Sequence, residues 1–86
     1  MNRSLTPDEI RQTVLRLLSE IAPEVDLSLV KADVSFRDQL DIDSMDFLNF
    51  VVSIHKTFGV EIREADYPKY STLKGCVEEL SANRAR

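Results

Sequence analysis

The sequence predicts an all-α domain, and three observations carry that expectation. Apolar residues recur at helical spacing in three separate stretches. Each stretch opens on a side chain suited to capping a helix. No run alternates apolar and polar residues as a half-buried strand would; "VEI" at 60–62 comes nearest, and one short strand cannot make a sheet.

The first helix is expected in "TPDEIRQTVLRLLSEIA". Thr6 is the N-cap, Pro7 suits the first helical position, and Glu9 completes a capping box. Ile10, Val14, Leu17, Leu18 and Ile21 form one apolar stripe, and Pro23 stops the helix. From Pro23 to Asp43 no period is sustained. A loop that long in a small domain is usually functional or partly structured. Val30, Val34, Phe36, Leu40 and Ile42 are expected to pin it to the core, and "SFRD" can form one helical turn.

"DSMDFLNFVVSIHKTFG" reads as the second helix. Asp43 is its N-cap, Asp46 lies in the first turn where the helix dipole favours an anion, and Gly59 suits the left-handed residue past the end. Phe47, Phe50, Val51, Ile54 and Phe58 make a core face. Met45, Leu48 and Val52 make a second stripe, rotated away from the first. That stripe is either a docking surface or is buried under the long loop, and the sequence leaves both open. One or two short turns are expected around "READY", with Pro68 cutting off any longer helix. "STLKGCVEELSAN" is the last helix, capped by Ser71 or Thr72, with Leu73, Cys76, Val77 and Leu80 on its core face and Gly75 weakening it slightly. The architecture is three main helices plus a short third one, with a long connection between the first and second.

Composition narrows the function. The chain's 86 residues suit one small domain, with its core over about 6–83 and a basic tail at 84–86 expected to fray. At 43% hydrophobic and 30% charged it is too apolar for disorder. The net charge of −4 disfavours nucleic acid as a partner. Asp33, Asp38, Asp41, Asp43 and Asp46 crowd around the single base Arg37. No stretch is apolar enough to span a membrane, and "MNRSLTPDE" lacks a signal core, so a cytoplasmic location without membrane insertion is expected. One cysteine and one histidine give neither a disulfide nor a plausible structural metal site. Cys76, on a core face, reads as a small apolar residue.

"DIDSMD" at 41–46 surrounds Ser44 with three acids, and three chemistries compete for it. As a calcium loop it fails: with Asp41 and Asp43 at positions 1 and 3, Met45, Asp46 and Val52 occupy the places that need an oxygen ligand, a glycine and a glutamate. As a nucleophile Ser44 lacks a base, because His55 lies eleven residues along the same helix, roughly 16 Å away. As a serine that another enzyme modifies it fits. It sits at a helix start after a long loop, where free backbone N–H groups and the dipole would meet a phosphodiester. The aspartates would cap the helix and offer a patch to a basic partner.

The stretch "FRDQLDIDSMDFLNFVVSIHKTFGVEI" resembles the core signature of the acyl carrier proteins, small four-helix proteins whose serine follows an aspartate and bears a 4′-phosphopantetheine arm. The likeness covers most of the chain and includes Phe36 four residues before Leu40, Leu40 four before Ser44, and the order of helices. The resemblance implies that Ser44 takes the arm from coenzyme A through a phosphopantetheinyl transferase. It implies that Asp43 caps the helix and contacts the transferase, through that enzyme's metal. It implies an acyl thioester carried to synthase, ligase or acyltransferase partners by a chain that catalyses nothing itself. Partner contacts would fall on Asp41, Met45, Asp46, Leu48, Val52, His55 and Lys56. Phe50, Ile54, Val77 and Leu80 would wall an acyl pocket, although the phenylalanines leave it little volume.

The sequence also departs from the best-known fatty-acid carriers. From Phe47 to Gly59 there is no acid and one lysine, where those carriers are rich in glutamate. Asp41 replaces a frequent glycine, and Pro68 shortens the third helix. These departures point to a specialised carrier with its own partners, and the resemblance implies a monomer in fatty acid, polyketide or modified-lipid biosynthesis. Two alternatives stand beside it: an aminoacyl or peptidyl carrier, against which "DID" before Ser44 argues, and an unmodified helical adaptor that docks through Met45, Leu48 and Val52.

Overall fold

The computed structural model describes residues 6–84. Helix α1 spans Pro7–Ile21, α2 Phe36–Gln39, α3 Ser44–Phe58 and α4 Leu73–Arg84; 3-10 segments occupy Leu27–Leu29 and Glu64–Tyr70. Among the described residues there is no strand. The helices expected second and last are thus α3 and α4, and the expected short third helix is the segment Glu64–Tyr70. Helix α4 ends one residue into the tail expected to fray; residues 85–86 lie outside the described residues.

Helix α1 begins as its sequence dictates. The Thr6 hydroxyl accepts from the Glu9 N–H at 3.1 Å, and the Glu9 carboxylate accepts from the Thr6 N–H at 2.9 Å. Its stripe packs against both α3 and α4. Ile10, Val14 and Leu18 are fully buried, together with Phe36, Phe50, Ile54, Cys76 and Leu80. Each such side chain contributes about 1.5–3 kcal/mol of transfer free energy for the larger residues. Phe36 meets Phe50 edge-on, ring centroids 5.2 Å apart and planes at 78°, a geometry that sets the positive edge of one ring against the negative face of the other. Burial pushes the Cys76 thiol well above its ordinary pKa, so it stays protonated and donates to the Tyr70 carbonyl at 3.3 Å.

The long connection is more ordered than its pattern suggests. Phe36 is fully buried, Ile42 nearly so, and Val30 and Leu40 pack on the core from the side. Val34 is half-buried. One side chain ties the segment together: the Gln39 amide accepts from the Lys31 N–H at 2.8 Å and donates to the Lys31 and Val34 carbonyls at 2.8 and 2.9 Å. Two backbone bonds then anchor it to the start of α4, Phe36 N–H to the Ser71 carbonyl and Lys74 N–H to the Ala32 carbonyl, both 2.8 Å. The turn Leu27–Leu29 starts at Asp26, whose carboxylate accepts from the Ser28 hydroxyl and N–H. Those two bonds, the hydroxyl's first, hold the Asp26 carboxyl below the usual carboxylate range.

The structure makes three local expectations more specific. Pro68 does not end its segment, which runs on to Tyr70 as a 3-10 helix; a proline there removes one i→i−3 bond, and the Ser71 N–H closes the end on the Pro68 carbonyl at 3.2 Å. Of the two candidate caps, Thr72 is the one that caps α4, its hydroxyl accepting from the Gly75 N–H at 2.9 Å. Gly75 does more than weaken that helix. A Cβ at this position would collide with the Lys69 backbone carbonyl, so the glycine lets the 3-10 segment lie directly on α4.

Candidate functional site

The site is built on the first turn of α3. Asp43, the N-cap, is extended, and its carboxylate accepts from the Asp46 N–H at 2.9 Å. Asp46 returns the contact, its carboxylate accepting from the Asp43 N–H at 3.3 Å. This is a capping box made of two aspartates. Ser44 is therefore the first helical residue, exposed, on a turn whose entry angle is fixed from both sides. Its hydroxyl makes no hydrogen bond to any described residue. The first N–H groups of a helix lack intrahelical partners, and Asp43 takes only that of Asp46.

The two stripes of α3 separate cleanly. Phe50, Val51, Ile54 and Phe58 are buried, and Phe47 is half-buried with its ring edge-on to Tyr67 at 6.4 Å. Met45 is 65% exposed, Leu48 39% and Val52 39%. The choice left open by the sequence is resolved: the long loop does not cover this stripe. At 3.6 residues per turn the stripe lies about 140° around the helix from the core face. His55 and Lys56 continue the exposed side into the last turn. His55 also has a structural part. Its Nδ1 lies 2.6 Å from the Val60 carbonyl, which only accepts, so Nδ1 carries the proton. Gly59 lies between them at φ 68°, the left-handed value expected of a residue past a helix end.

Asp41, Asp43, Ser44, Met45, Leu48, Val52, His55 and Lys56 are thus all exposed on or just before α3, and Asp46 is half-buried beneath the serine's turn. The residues expected to wall an acyl pocket sit elsewhere. Phe50, Ile54 and Leu80 are fully buried in the common core, and Val77 packs on it half-buried. A cleft of about 280 Å³ lies beside the long connection, lined by Val25, Leu29, Val30 and Leu40 together with Gln39 and the acids Glu24, Asp26 and Asp41. Nothing in the sequence pattern flagged it, because its walls come from irregular backbone and from a turn that only the Asp26–Ser28 pairing announces.

A family model for the phosphopantetheine attachment site matches residues 9–80. The chain belongs to the acyl carrier protein family. It is 31% identical over 80 residues to the acyl carrier protein of Lactobacillus johnsonii, covering 93% of this chain and 99% of that one. It is 29% identical over 79 residues to polyketide-8 synthase acyl carrier protein 2 of Streptomyces avermitilis, covering 92% and 85%. Among solved structures, an acyl carrier protein from Enterococcus faecalis superposes with a TM-score of 0.77 at 26% identity, covering 92% of this chain and 99% of that one.

As an acyl carrier, the chain bears a covalently attached 4′-phosphopantetheine. When bound, that group supplies a terminal thiol that holds an acyl unit as a thioester. The residues at the start of α3 fit such a group: an exposed, unengaged hydroxyl, backbone donors beside it, and no buried wall in the way. Acyl carriers work with synthase and transferase enzymes and are carriers, not catalysts. Among the described residues no helix is long and apolar enough to cross a membrane.

Proposed function

We propose that Ser44 is the attachment residue and that the exposed side of α3 presents it to partner enzymes. The observation that carries this reading is the pair of reciprocal aspartate caps, which holds an unengaged serine hydroxyl on the outermost helical residue. Ser44 has no local base, and it needs none if a phosphopantetheinyl transferase activates its hydroxyl. Asp43 then has two tasks, capping α3 and meeting the transferase and its metal. Met45, Leu48 and Val52 form the apolar centre of the partner contact, with Asp41 and Asp46 at one end and His55 and Lys56 at the other.

The absence of acids between Phe47 and Gly59 supports a partner set other than one that reads a glutamate-rich helix. We take the protein as a specialised monomeric carrier, a single domain over residues 1–86, working in the cytoplasm in fatty acid, polyketide or modified-lipid synthesis with ligase, synthase or acyltransferase partners. The attachment is tested by intact mass after incubation with coenzyme A and a broad-specificity phosphopantetheinyl transferase. Wild type gains one phosphopantetheine and Ser44→Ala gains none; an equal gain on both proteins refutes Ser44.

A further inference from the structure

The cleft beside the long connection belongs neither to the attachment site nor to the apolar stripe of α3. Val25, Leu29, Val30 and Leu40 make its apolar walls. Leu29 is 73% exposed. Left in water, it forgoes the stabilisation that burial of a leucine gives. The charge of the lining is one-sided. Glu24, Asp26 and Asp41 are exposed there, and no lysine, arginine or histidine joins them. Neither Glu24 nor Asp41 is ion-paired to a described residue. Ser28 bonds Asp26 through Oδ1 alone, with its hydroxyl and its N–H, so the second carboxylate oxygen keeps its accepting capacity.

We propose that this cleft is a docking point for a partner enzyme and takes a leucine- or phenylalanine-sized side chain that the partner presents between basic residues. Each half of that description answers one feature of the site. The apolar walls suit an apolar anchor, and a volume of about 280 Å³ exceeds the ~150 Å³ cavity that encloses benzene. The carboxylates around it attract flanking arginine or lysine and repel an acidic segment. An uncharged segment would cover the acids without giving their oxygens a partner.

The position of the cleft ties it to the exposed side of α3, and this step rests on the partner surface proposed above. Asp41 lines the cleft and precedes Ser44 by three residues, so their Cα atoms are at most about 11 Å apart. A standard interface covers about 800 Å² on each partner, roughly 30 Å across, so one encounter spans both places. Helix α3 has no acid from Phe47 to Gly59. The negative charge that a basic partner reads therefore stands beside the connection. A second anchor off the axis of α3 also fixes the rotation of the enzyme about Ser44, which contacts along one helix leave free.

The test titrates the full unmodified chain with the capped tripeptide Arg-Leu-Arg to millimolar concentration and follows the backbone amide shifts. Saturable movement of the Val25, Leu29, Val30 and Leu40 amides is expected. Arg-Ala-Arg should bind about tenfold more weakly, and Glu-Leu-Glu should leave these amides in place. The double variant Glu24→Gln, Asp41→Asn, both exposed positions, should bind Arg-Leu-Arg about two- to fivefold more weakly. Leu29→Ser should weaken it as well, with amides outside the cleft unmoved by either variant. No shift at millimolar Arg-Leu-Arg, or equal binding of Arg-Ala-Arg or Glu-Leu-Glu, overturns the proposal. Shifts confined to Met45, Leu48 and Val52 overturn the cleft and leave the α3 surface standing. None of these outcomes bears on attachment at Ser44, which the mass measurement decides separately.

Discussion

Asp43 and Asp46 cap each other across Ser44, each carboxylate accepting the other's backbone N–H. The same two residues put an acidic stretch to use as helix chemistry: one oxygen of each carboxylate takes a backbone donor.

Asp43→Ala removes the N-cap and one half of that box. The expected loss is about 1 kcal/mol, read from urea denaturation with an unchanged m-value. Asp43→Asn, which still caps, should lose much less. Equal losses would mean that charge, not capping, is what Asp43 supplies to stability.

Gly75→Ala separates local propensity from packing. On an open helix the change stabilises by about 1 kcal/mol. Here the new methyl meets the Lys69 carbonyl, and overpacking of this kind costs about 1–3 kcal/mol. Thermal unfolding should show a lower midpoint; a higher one would contradict the close approach of the 3-10 segment to α4.

Gln39→Ala leaves the Lys31 N–H and two carbonyls without their partner. A loss of about 1–3 kcal/mol is expected, reduced where water replaces the amide. Amide exchange at Lys31 should speed up more than exchange within α1, because the bond is local to the connection.

Leu48→Glu probes the exposed stripe. Its side chain lies outside the core cluster, so stability should change by no more than about 0.5 kcal/mol. Transfer of an acyl group to or from a partner enzyme should fall at least tenfold. Unfolding of the variant would instead place Leu48 in the core.

The Asp26 carboxyl should titrate below the ordinary aspartate range, because Ser28 bonds its charged form. A folded-state pKa below the unfolded one stabilises the turn at pH values above the unfolded value, about 3.9. That contribution fades as pH falls through the folded pKa. Side-chain carboxyl NMR measures the midpoint, and Ser28→Ala should raise it.

Much of this was legible in the sequence because the physics was local. The Thr6–Glu9 box, the Asp43 cap, the left-handed Gly59 and the two stripes of α3 each follow from spacing along one helix. The exposure of Met45, Leu48 and Val52 was not legible, since it depends on where the long connection goes. That path is set by the Gln39 clamp within the connection and by the long-range Phe36–Ser71 and Lys74–Ala32 ties, which leave no periodic signature. Gly75 carries the same lesson: only the approach of Lys69 from another segment reveals why a glycine stands there. His55 was legible as a surface residue but not as the donor that closes α3 onto Val60.

The most direct measurement is fragmentation of the transferase-treated protein, mapping the added phosphopantetheine to a residue. The account predicts all of it on Ser44, between Asp43 and Met45. Modification at another hydroxyl, such as Ser35 or Ser53, or none at all under conditions that modify a known acyl carrier protein, would contradict it.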